Sequence, residues 1–151
     1  MRRAGVLARV LGLLLLCALA RPAAAQVHAS DAWARGTVPG QSSSAVYMRL
    51  RSDEPAAVVA VESPLGTAEL HDMKMDGDIM RMRPLKRLEL PAGRTVDLGP
   101  AGAHVMLTGL KRPLAKGDRV TLRLVVETPG GKRRSVDVSA EVRDFASGAR
   151  R

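Results

Sequence analysis

The segment AELHDMKMDGDIMRMR, residues 68–83, decides which fold this chain is expected to adopt. His71 and Met73 are two residues apart, and a Met-x-Met pair follows later in the segment. At that spacing, side chains share one face of a β-strand. The dipeptide Asp76-Gly77 stands between the two halves and is typical of tight hairpin turns. The segment therefore predicts a β-hairpin with imidazole and thioether groups along one face.

The hairpin turn predicts which side chains lie opposite one another. We expect a two-residue type I′ turn with the Asp-Gly dipeptide at its central positions, because that turn requires a positive φ at both. In this register Met73 faces Met80 and His71 faces Met82, with Cβ atoms roughly 4.5–5.5 Å apart. A metal ion held by one imidazole and one thioether would fit between the second pair.

A second His-x-Met pattern occurs at His104 and Met106. Val105 and Leu107 then point the other way, into an expected core. Imidazole and thioether are soft or borderline ligands that favour Cu(I), whereas zinc prefers Cys, His or carboxylate and calcium prefers oxygen. If this strand lies beside the hairpin, four such donors meet: His71, Met82, His104 and Met106.

The first 25 residues have the pattern of a secretory signal. A basic start is followed by a short apolar run at residues 10–20 and an Ala-Ala-Ala site that ends at Ala25. The apolar run is too short to span a bilayer. Cys17 would suit a lipoprotein anchor, but a leucine precedes it where such anchors carry a small residue. We expect cleavage after Ala25 and a periplasmic mature chain, residues 26–151.

The mature chain is long enough for one domain and contains no cysteine, since Cys17 is the only one. This composition excludes disulfides, a thiolate nucleophile and a blue-copper centre. Four of the 24 basic residues and none of the 15 acidic ones precede residue 26, so the net charge falls from +9 to +5. The basic residues are mostly scattered and aromatics are few, which argues against nucleic-acid binding.

Short β-favourable runs separated by Gly, Pro and Asp turns predict an all-β sandwich or barrel. The run 119–127 alternates most regularly and predicts a half-buried strand. Prolines bracket 85–90, which makes that run at best an edge strand. The predicted strands are 45–51, 56–62, 68–75, 78–83, 94–98, 104–110, 119–127 and 134–142.

Two long stretches resemble the PCuAC family of periplasmic copper(I) chaperones: AELHDMKMDGDIMRMRPL and GAHVMLTGLKRPLAKGD. That family carries a His-x10-Met-x21-His-x-Met motif, which His71, Met82, His104 and Met106 match in spacing. The segments DAWARGTVPG and AVYMRL also resemble its opening strands, so the resemblance covers most of the mature chain.

The resemblance implies a cupredoxin-like Greek-key β-barrel or sandwich with one exposed Cu(I) site at the four motif residues. It implies a non-enzymatic chaperone that supplies the copper centres of cytochrome c oxidase, often with a Sco-type thiol protein. Nucleic acid and stable membrane insertion of the mature chain are not expected. Some relatives carry a His- and Met-rich C-terminal tail with further copper sites; the residues FASGARR do not resemble it, so a tail-borne second site is not expected.

The remaining histidine and methionines have two interpretations each. Met73 and Met80 lie on the predicted ligand face as auxiliary candidates or as an apolar collar around the site. Met48 is expected in the core, and Met75 fits either role. His28 is interpreted as a surface residue, with a secondary Cu(II) contact as the alternative.

Two further residues are expected to support the domain or the site. Trp33 is expected to anchor the core or one end of the barrel. Glu69 is a candidate hydrogen-bond acceptor for the His71 imidazole, although its placement on the same face is only loosely predicted.

Two other functions remain open from the sequence. A copper-dependent redox protein would use the same donors, although a Met-rich shell stabilises Cu(I) against cycling. A secreted β-domain scaffold without metal would use the methionines only for packing.

Overall fold

A computed structural model describes residues 26–144, which form β-strands and no helix. The predicted signal and the last seven residues, Cys17 among them, lie outside the described residues. No described segment is a helix long and apolar enough to cross a membrane. The strands are β1 (Val27–Arg35), β2 (Ser43–Ser52), β3 (Ala56–Glu62), β4 (Thr67–Asp76), β5 (Ile79–Pro84), β6 (Leu88–Leu90), β7 (Thr95–Leu98), β8 (His104–Thr108), β9 (Arg119–Glu127) and β10 (Arg133–Arg143).

All ten strands belong to one sheet, in the order β5-β4-β8-β2-β1-β10-β9-β3-β6, with β7 also paired to β2. The neighbours are antiparallel except for β1 and β10, which run parallel. Between residues 26 and 144 the end strands β5 and β6 do not pair with each other, so the sheet folds over its core and stays open. The all-β prediction is confirmed.

Alternating apolar residues build the core from both sides of the folded sheet. In β9 the alternate residues Val120, Leu122 and Leu124 are at most 1 % exposed, as the sequence pattern predicts. Val105 and Leu107 of β8 are fully buried. Because successive strand residues face opposite sides, burial of these two turns His104 and Met106 to the other face of the sheet.

The eight predicted strands correspond to β2–β5 and β7–β10, with ends shifted by at most two residues. The sequence pattern did not predict β1. Its pairing with β2 shifts register between Ser30 and Trp33, and Asp31 has a φ of 51°. Such a bulge breaks the two-residue period on which strand prediction depends. The short β6 lies at the sheet's end, as expected of an edge strand.

The hairpin forms, but its predicted register is wrong. Asp76 pairs with Ile79, so the central turn residues are Gly77 and Asp78. Gly77 has a φ of +65° and Asp78 does not have a positive φ, the pattern of a type II′ turn with glycine first. This arrangement needs a positive φ only at Gly77, whereas the predicted turn would also have imposed one on Asp76, at a cost of about 1–2 kcal/mol.

The register change gives each β4 residue a partner two positions further along β5, but it leaves every side chain on the face of the sheet that was predicted for it. Met73 pairs with Met82 instead of Met80, and His71 pairs with Pro84 instead of Met82. Because the shift on β5 is two residues, each methionine keeps the orientation that its position predicts.

Candidate metal centre

Three neighbouring strands, β5, β4 and β8, bring the predicted donors to one end of the sheet. His71 of β4 and His104 of β8 are direct cross-strand partners. Their ring centroids are 6.1 Å apart and the rings meet edge to face at 72°. Both side chains are buried, with exposed fractions of 9 % and 5 %. The sequence predicted both as donors but not that they would be paired directly.

Met82 reaches this pair from the outermost strand. Its Sδ lies 3.3 Å from Nε2 of His104, although β4 separates their two strands. The long flexible methionine side chain spans that gap. Met82 is still 46 % exposed, so the side of the site formed by β5 is open to solvent.

Met106 lies on the same face as His104, two residues further along β8. Its cross-strand partner on β4 is Glu69. The structure thus places all four motif residues on one face of three adjacent strands, with Met106 one same-face position from the histidine pair. The direct contacts among them join His71 to His104 and His104 to Met82.

The hydrogen bonds of His104 determine which of its nitrogens is available to a metal. Nδ1 lies 3.0 Å from the carbonyl oxygen of Gly102. A carbonyl oxygen only accepts, so Nδ1 carries the proton and donates. The lone pair of the neutral ring is then on Nε2, which points at the Met82 sulfur. Metal-binding histidines are typically oriented in this way by a second hydrogen bond.

His71 has one nitrogen without any partner. Its Nδ1 is buried and makes no hydrogen bond within the protein. Such a group destabilises a fold by about 1–3 kcal/mol unless something else satisfies it. Its Nε2 lies 3.6 Å from Oε2 of Glu69, which is too long for a hydrogen bond, but the carboxylate favours an N–H on that side and a free lone pair on Nδ1. Glu69 lies near the imidazole as expected, and its role as a hydrogen-bond acceptor stays a prediction.

Tyr47 lies beside His104 and packs on Trp33, and the sequence analysis did not single out Tyr47. The Tyr47 ring is 6.3 Å from the His104 ring and 4.6 Å from Trp33, centroid to centroid. Tyr47 is 6 % exposed, and burial raises its pKa above the ordinary value of 10.0, while the positive charge of Arg35 acts in the opposite direction. Trp33 supports Tyr47 and is covered by the Arg143 guanidinium at 5.3 Å. Finding Tyr47 needed the β2–β8 pairing, which no local pattern encodes.

The remaining candidates separate clearly. Met48 is 2 % exposed and lies in the core as expected. Met75 is 61 % exposed, so its core interpretation is wrong. It pairs with Met80 at the hairpin end. His28 lies at the start of β1 opposite Arg51, is exposed, and is not brought to the histidine pair.

Two imidazoles and two thioethers form a donor set that fits a soft monovalent cation such as Cu(I). Within residues 26–144, no three His, Cys, Asp or Glu side chains are grouped closely enough to hold a metal ion. The orphaned His71 Nδ1 and the free Nε2 of His104 supply two lone pairs. The Met82 sulfur adds a neutral donor that carries no competing proton.

The fold and this donor set define an all-β, cupredoxin-like domain with a candidate soft-metal site. Comparison with known proteins gives the family. A family model described as "Putative lipoprotein LpqE-like" matches residues 27–142. The chain belongs to this LpqE-like family. A curated relative from Leifsonia xyli subsp. xyli (strain CTCB07), described as "Putative lipoprotein Lxx21020", is 32 % identical over 132 residues, which covers 81 % of this chain and 80 % of the relative.

Solved structures of PCuAC domains share the fold. The solution structure of CuI-DR1885 from Deinococcus radiodurans is 31 % identical, covers 85 % of each chain and has a TM-score of 0.57. The apo PCuAC domain from PmoF1 is 24 % identical with a TM-score of 0.63, covering 78 % of this chain and 93 % of that domain. The copper-bound PCuAC domain from PmoF2 is 20 % identical with a TM-score of 0.60, covering 80 % and 97 %. These likenesses confirm the cupredoxin-like, PCuAC-type fold that the resemblance implied.

Proposed function

We propose that this protein binds one Cu(I) ion and carries it as a copper chaperone. The ligands would be the imidazoles of His71 and His104 and the thioethers of Met82 and Met106. The contact of 3.3 Å between Nε2 of His104 and Sδ of Met82 carries the proposal, because it joins two unprotonated soft donors on separate strands. The likeness to CuI-DR1885, a structure described with Cu(I), supports the same cargo.

The described contacts assign a different part to each ligand. The hydrogen bond to Gly102 holds the His104 ring with its lone pair on Nε2, and the Glu69 carboxylate, 3.6 Å from Nε2 of His71, favours a lone pair on Nδ1 of that ring. The histidines are buried and fixed by strand pairing, so they form the constant part of the site. Met82 is half exposed on an end strand and forms the part that an incoming ligand meets first.

Transfer to an acceptor then takes place by ligand exchange. A donor of the acceptor protein binds Cu(I) as the Met82 thioether leaves, and the histidines are released afterwards. The thioether departs as a neutral group and the copper stays Cu(I), so the step needs no oxidant or reductant. We propose an acceptor with soft ligands, such as a copper-binding subunit of cytochrome c oxidase or a Sco-type thiol protein.

We further propose that the protein works outside the cytoplasm, in the periplasm or attached to the cell envelope. Residues 1–25 would direct export. Two processing outcomes are then open, and they differ in the first residue of the mature protein. Cleavage after Ala25 releases a chain without cysteine, whereas lipidation of Cys17 anchors it. The lipoprotein description of the family supports the second outcome more strongly than the sequence did. The intact mass of the exported protein distinguishes the two.

Anaerobic competition with a chromophoric Cu(I) chelator tests the site, at one equivalent of copper or less. His104→Ala and Met82→Leu are each expected to weaken binding by at least tenfold, since even the loss of an orienting partner of a metal ligand typically lowers affinity 10–100-fold. His28→Ala is the matched control, because it removes an exposed imidazole away from the site. Equal copper retention by all four proteins would exclude the site. Catalytic oxidation with many turnovers per copper would instead favour the redox alternative.

A further inference from the structure

Large apolar side chains on the surface are concentrated in the β4–β5 hairpin. Among the described residues, the large hydrophobic side chains that are clearly exposed are Val38 and four in this hairpin. Three of those four are methionines: Met75, Met80 and Met82, at 61 %, 46 % and 46 % exposure. A methionine used for packing is buried, as Met48 is at 2 %. Packing therefore does not explain these exposed thioethers.

The hairpin register arranges the methionines as a ladder on one face. Met73 pairs with Met82, and Met75 pairs with Met80 on the next rung. Cβ atoms of such pairs lie roughly 4.5–5.5 Å apart, and diagonal neighbours remain within reach of long side chains. We call these four residues the thioether ladder. The predicted register had placed Met73 opposite Met80, so the pairing of Met75 with Met80 became visible only in the structure.

Between Met73 and Met82, the strand residues that share the ladder's face are the four methionines alone, and none carries an oxygen ligand. Glu69 shares the ladder's parity but lies beyond His71, at the far end of β4. The charged strand residues of this part of the hairpin have the opposite parity and point to the other face of the sheet. There Asp76 is held by Arg81 at 2.9 Å and by Arg83 at 3.5 Å. A set of thioethers without carboxylates selects a soft ion and does not suit zinc, calcium or magnesium.

We propose that Met73, Met75 and Met80 form a second Cu(I) site, separate from the one built on the histidines. Three thioethers suffice for a low-coordinate Cu(I) ion, and each methionine has enough rotatable bonds to turn its sulfur toward a common point. The site is more exposed than the histidine site and contains only thioethers. It therefore binds Cu(I) more weakly and more reversibly.

The position of the second site gives it a role in loading. Successive same-face residues on a strand are roughly 7 Å apart, so an ion at Met75 and Met80 is one rung from the Met82 thioether. Cu(I) entering at the exposed hairpin end passes to Met82 by exchange of one thioether for another, and then to the histidines. This loading role rests on the proposed chaperone function; the existence of the second site does not.

The experiment follows the methionine methyl groups by NMR while Cu(I) is added anaerobically to the whole protein labelled at those methyls. The first equivalent is expected to shift the signals of Met82 and Met106. The second equivalent is expected to shift those of Met73, Met75 and Met80. Parallel competition with a weak chromophoric chelator counts the equivalents, with two expected for the wild type.

The double variant Met75→Leu/Met80→Leu is expected to lose the second equivalent and retain the first. Ile79→Met in that double variant is the matched control: it adds a thioether at a 58 % exposed hairpin position on the opposite face. It is expected not to restore the second equivalent. If the double variant still binds two equivalents, or if the methyls of Met73, Met75 and Met80 do not shift in the wild type, the second site is refuted and these methionines are an apolar collar.

A further variant of this chain distinguishes a failure of the second-site proposal from a failure of the proposed chaperone function. His71→Ala/His104→Ala removes the histidine site and is expected to leave weak binding that shifts the ladder methyls. If wild type binds one equivalent at the histidines and the methyls of Met73, Met75 and Met80 stay unshifted, the second site alone is overturned. Ladder shifts with undiminished tight binding in the His variant would overturn the proposed chaperone site alone.

Discussion

Leucine in place of His71 is expected to make the copper-free protein more stable and to remove its stabilisation by Cu(I) at concentrations that load only the histidine site. The imidazole is buried with Nδ1 unpaired, so in the absence of metal this side chain destabilises the native state. Leucine has a similar size and no polar atom to leave unsatisfied. The same substitution removes one of the two proposed nitrogen ligands.

The expected change in the free energy of unfolding combines three contributions. Removing the unpaired nitrogen stabilises by about 1–3 kcal/mol. Losing the 3.6 Å contact with Glu69, whose side chain is 60 % exposed, destabilises by at most about 1 kcal/mol. Imperfect packing of the new side chain destabilises by up to about 1.5 kcal/mol. The central expectation is a gain of about 1 kcal/mol, and the least favourable combination is a loss of about 1.5 kcal/mol.

Thermal unfolding with and without Cu(I) measures both effects in one experiment. A gain of 1 kcal/mol raises Tm by roughly 3–6 °C in a domain of this size. Free Cu(I) at one hundred times Kd stabilises the wild type by about 2.7 kcal/mol and is expected to leave the variant almost unchanged. The order of the two Tm values should therefore reverse when copper is added.

The matched control is His28→Leu, which replaces a 61 % exposed imidazole outside the site. Its copper-free Tm and its response to Cu(I) are expected to equal those of the wild type. If His71→Leu destabilises the copper-free protein by more than about 2 kcal/mol, His71 is a structural residue. If the variant is still stabilised by Cu(I) as strongly as the wild type, His71 is not a ligand.

Three other residues give independent tests. Glu69→Ala should weaken Cu(I) binding on the order of tenfold in the chelator assay, with partial recovery in Glu69→Gln, because Glu69 orients the imidazole of His71; unchanged affinity would remove this role. Burial raises the pKa of Tyr47, the only tyrosine, above 10.0, so tyrosinate absorbance should appear at higher pH than in a free peptide. The stability that this group contributes is complete below pH 10 and is lost as pH rises through the raised pKa; an ordinary titration would contradict its burial. Gly66→Ala should destabilise the fold by about 1–3 kcal/mol in chemical unfolding, because the new Cβ would overlap the backbone carbonyl oxygen of Thr108; an unchanged midpoint would contradict this close approach.

The sequence predicted which face of the hairpin each side chain occupies, but not which residues pair across the two strands. Which face a residue occupies depends only on odd or even position, so His71, Met73 and Met82 share a face in both registers. The rungs depend on whether the turn is centred on Asp76-Gly77 or on Gly77-Asp78. These turns differ by only about 1–2 kcal/mol in backbone preference, which short-range pattern does not resolve.

Long-range pairing accounts for what the sequence left undetermined. The direct pairing of His71 with His104 joins strands more than thirty residues apart, and only the resemblance to PCuAC proteins suggested that they meet. The neighbour relation of β2 and β8 places Tyr47 beside His104, and nothing in the local pattern of β2 indicates it. By contrast, the regular alternation of β9 identified its buried side in advance, since that property is local.

X-ray absorption of the protein loaded with one equivalent of Cu(I) tests the central claim most directly. The account predicts a first shell of two imidazole nitrogens and two thioether sulfurs, with the edge position of Cu(I). A shell of sulfur alone would place the first copper on the thioether ladder instead of the histidines. A shell of nitrogen and oxygen without sulfur would contradict the assignment of Met82 and Met106 as ligands.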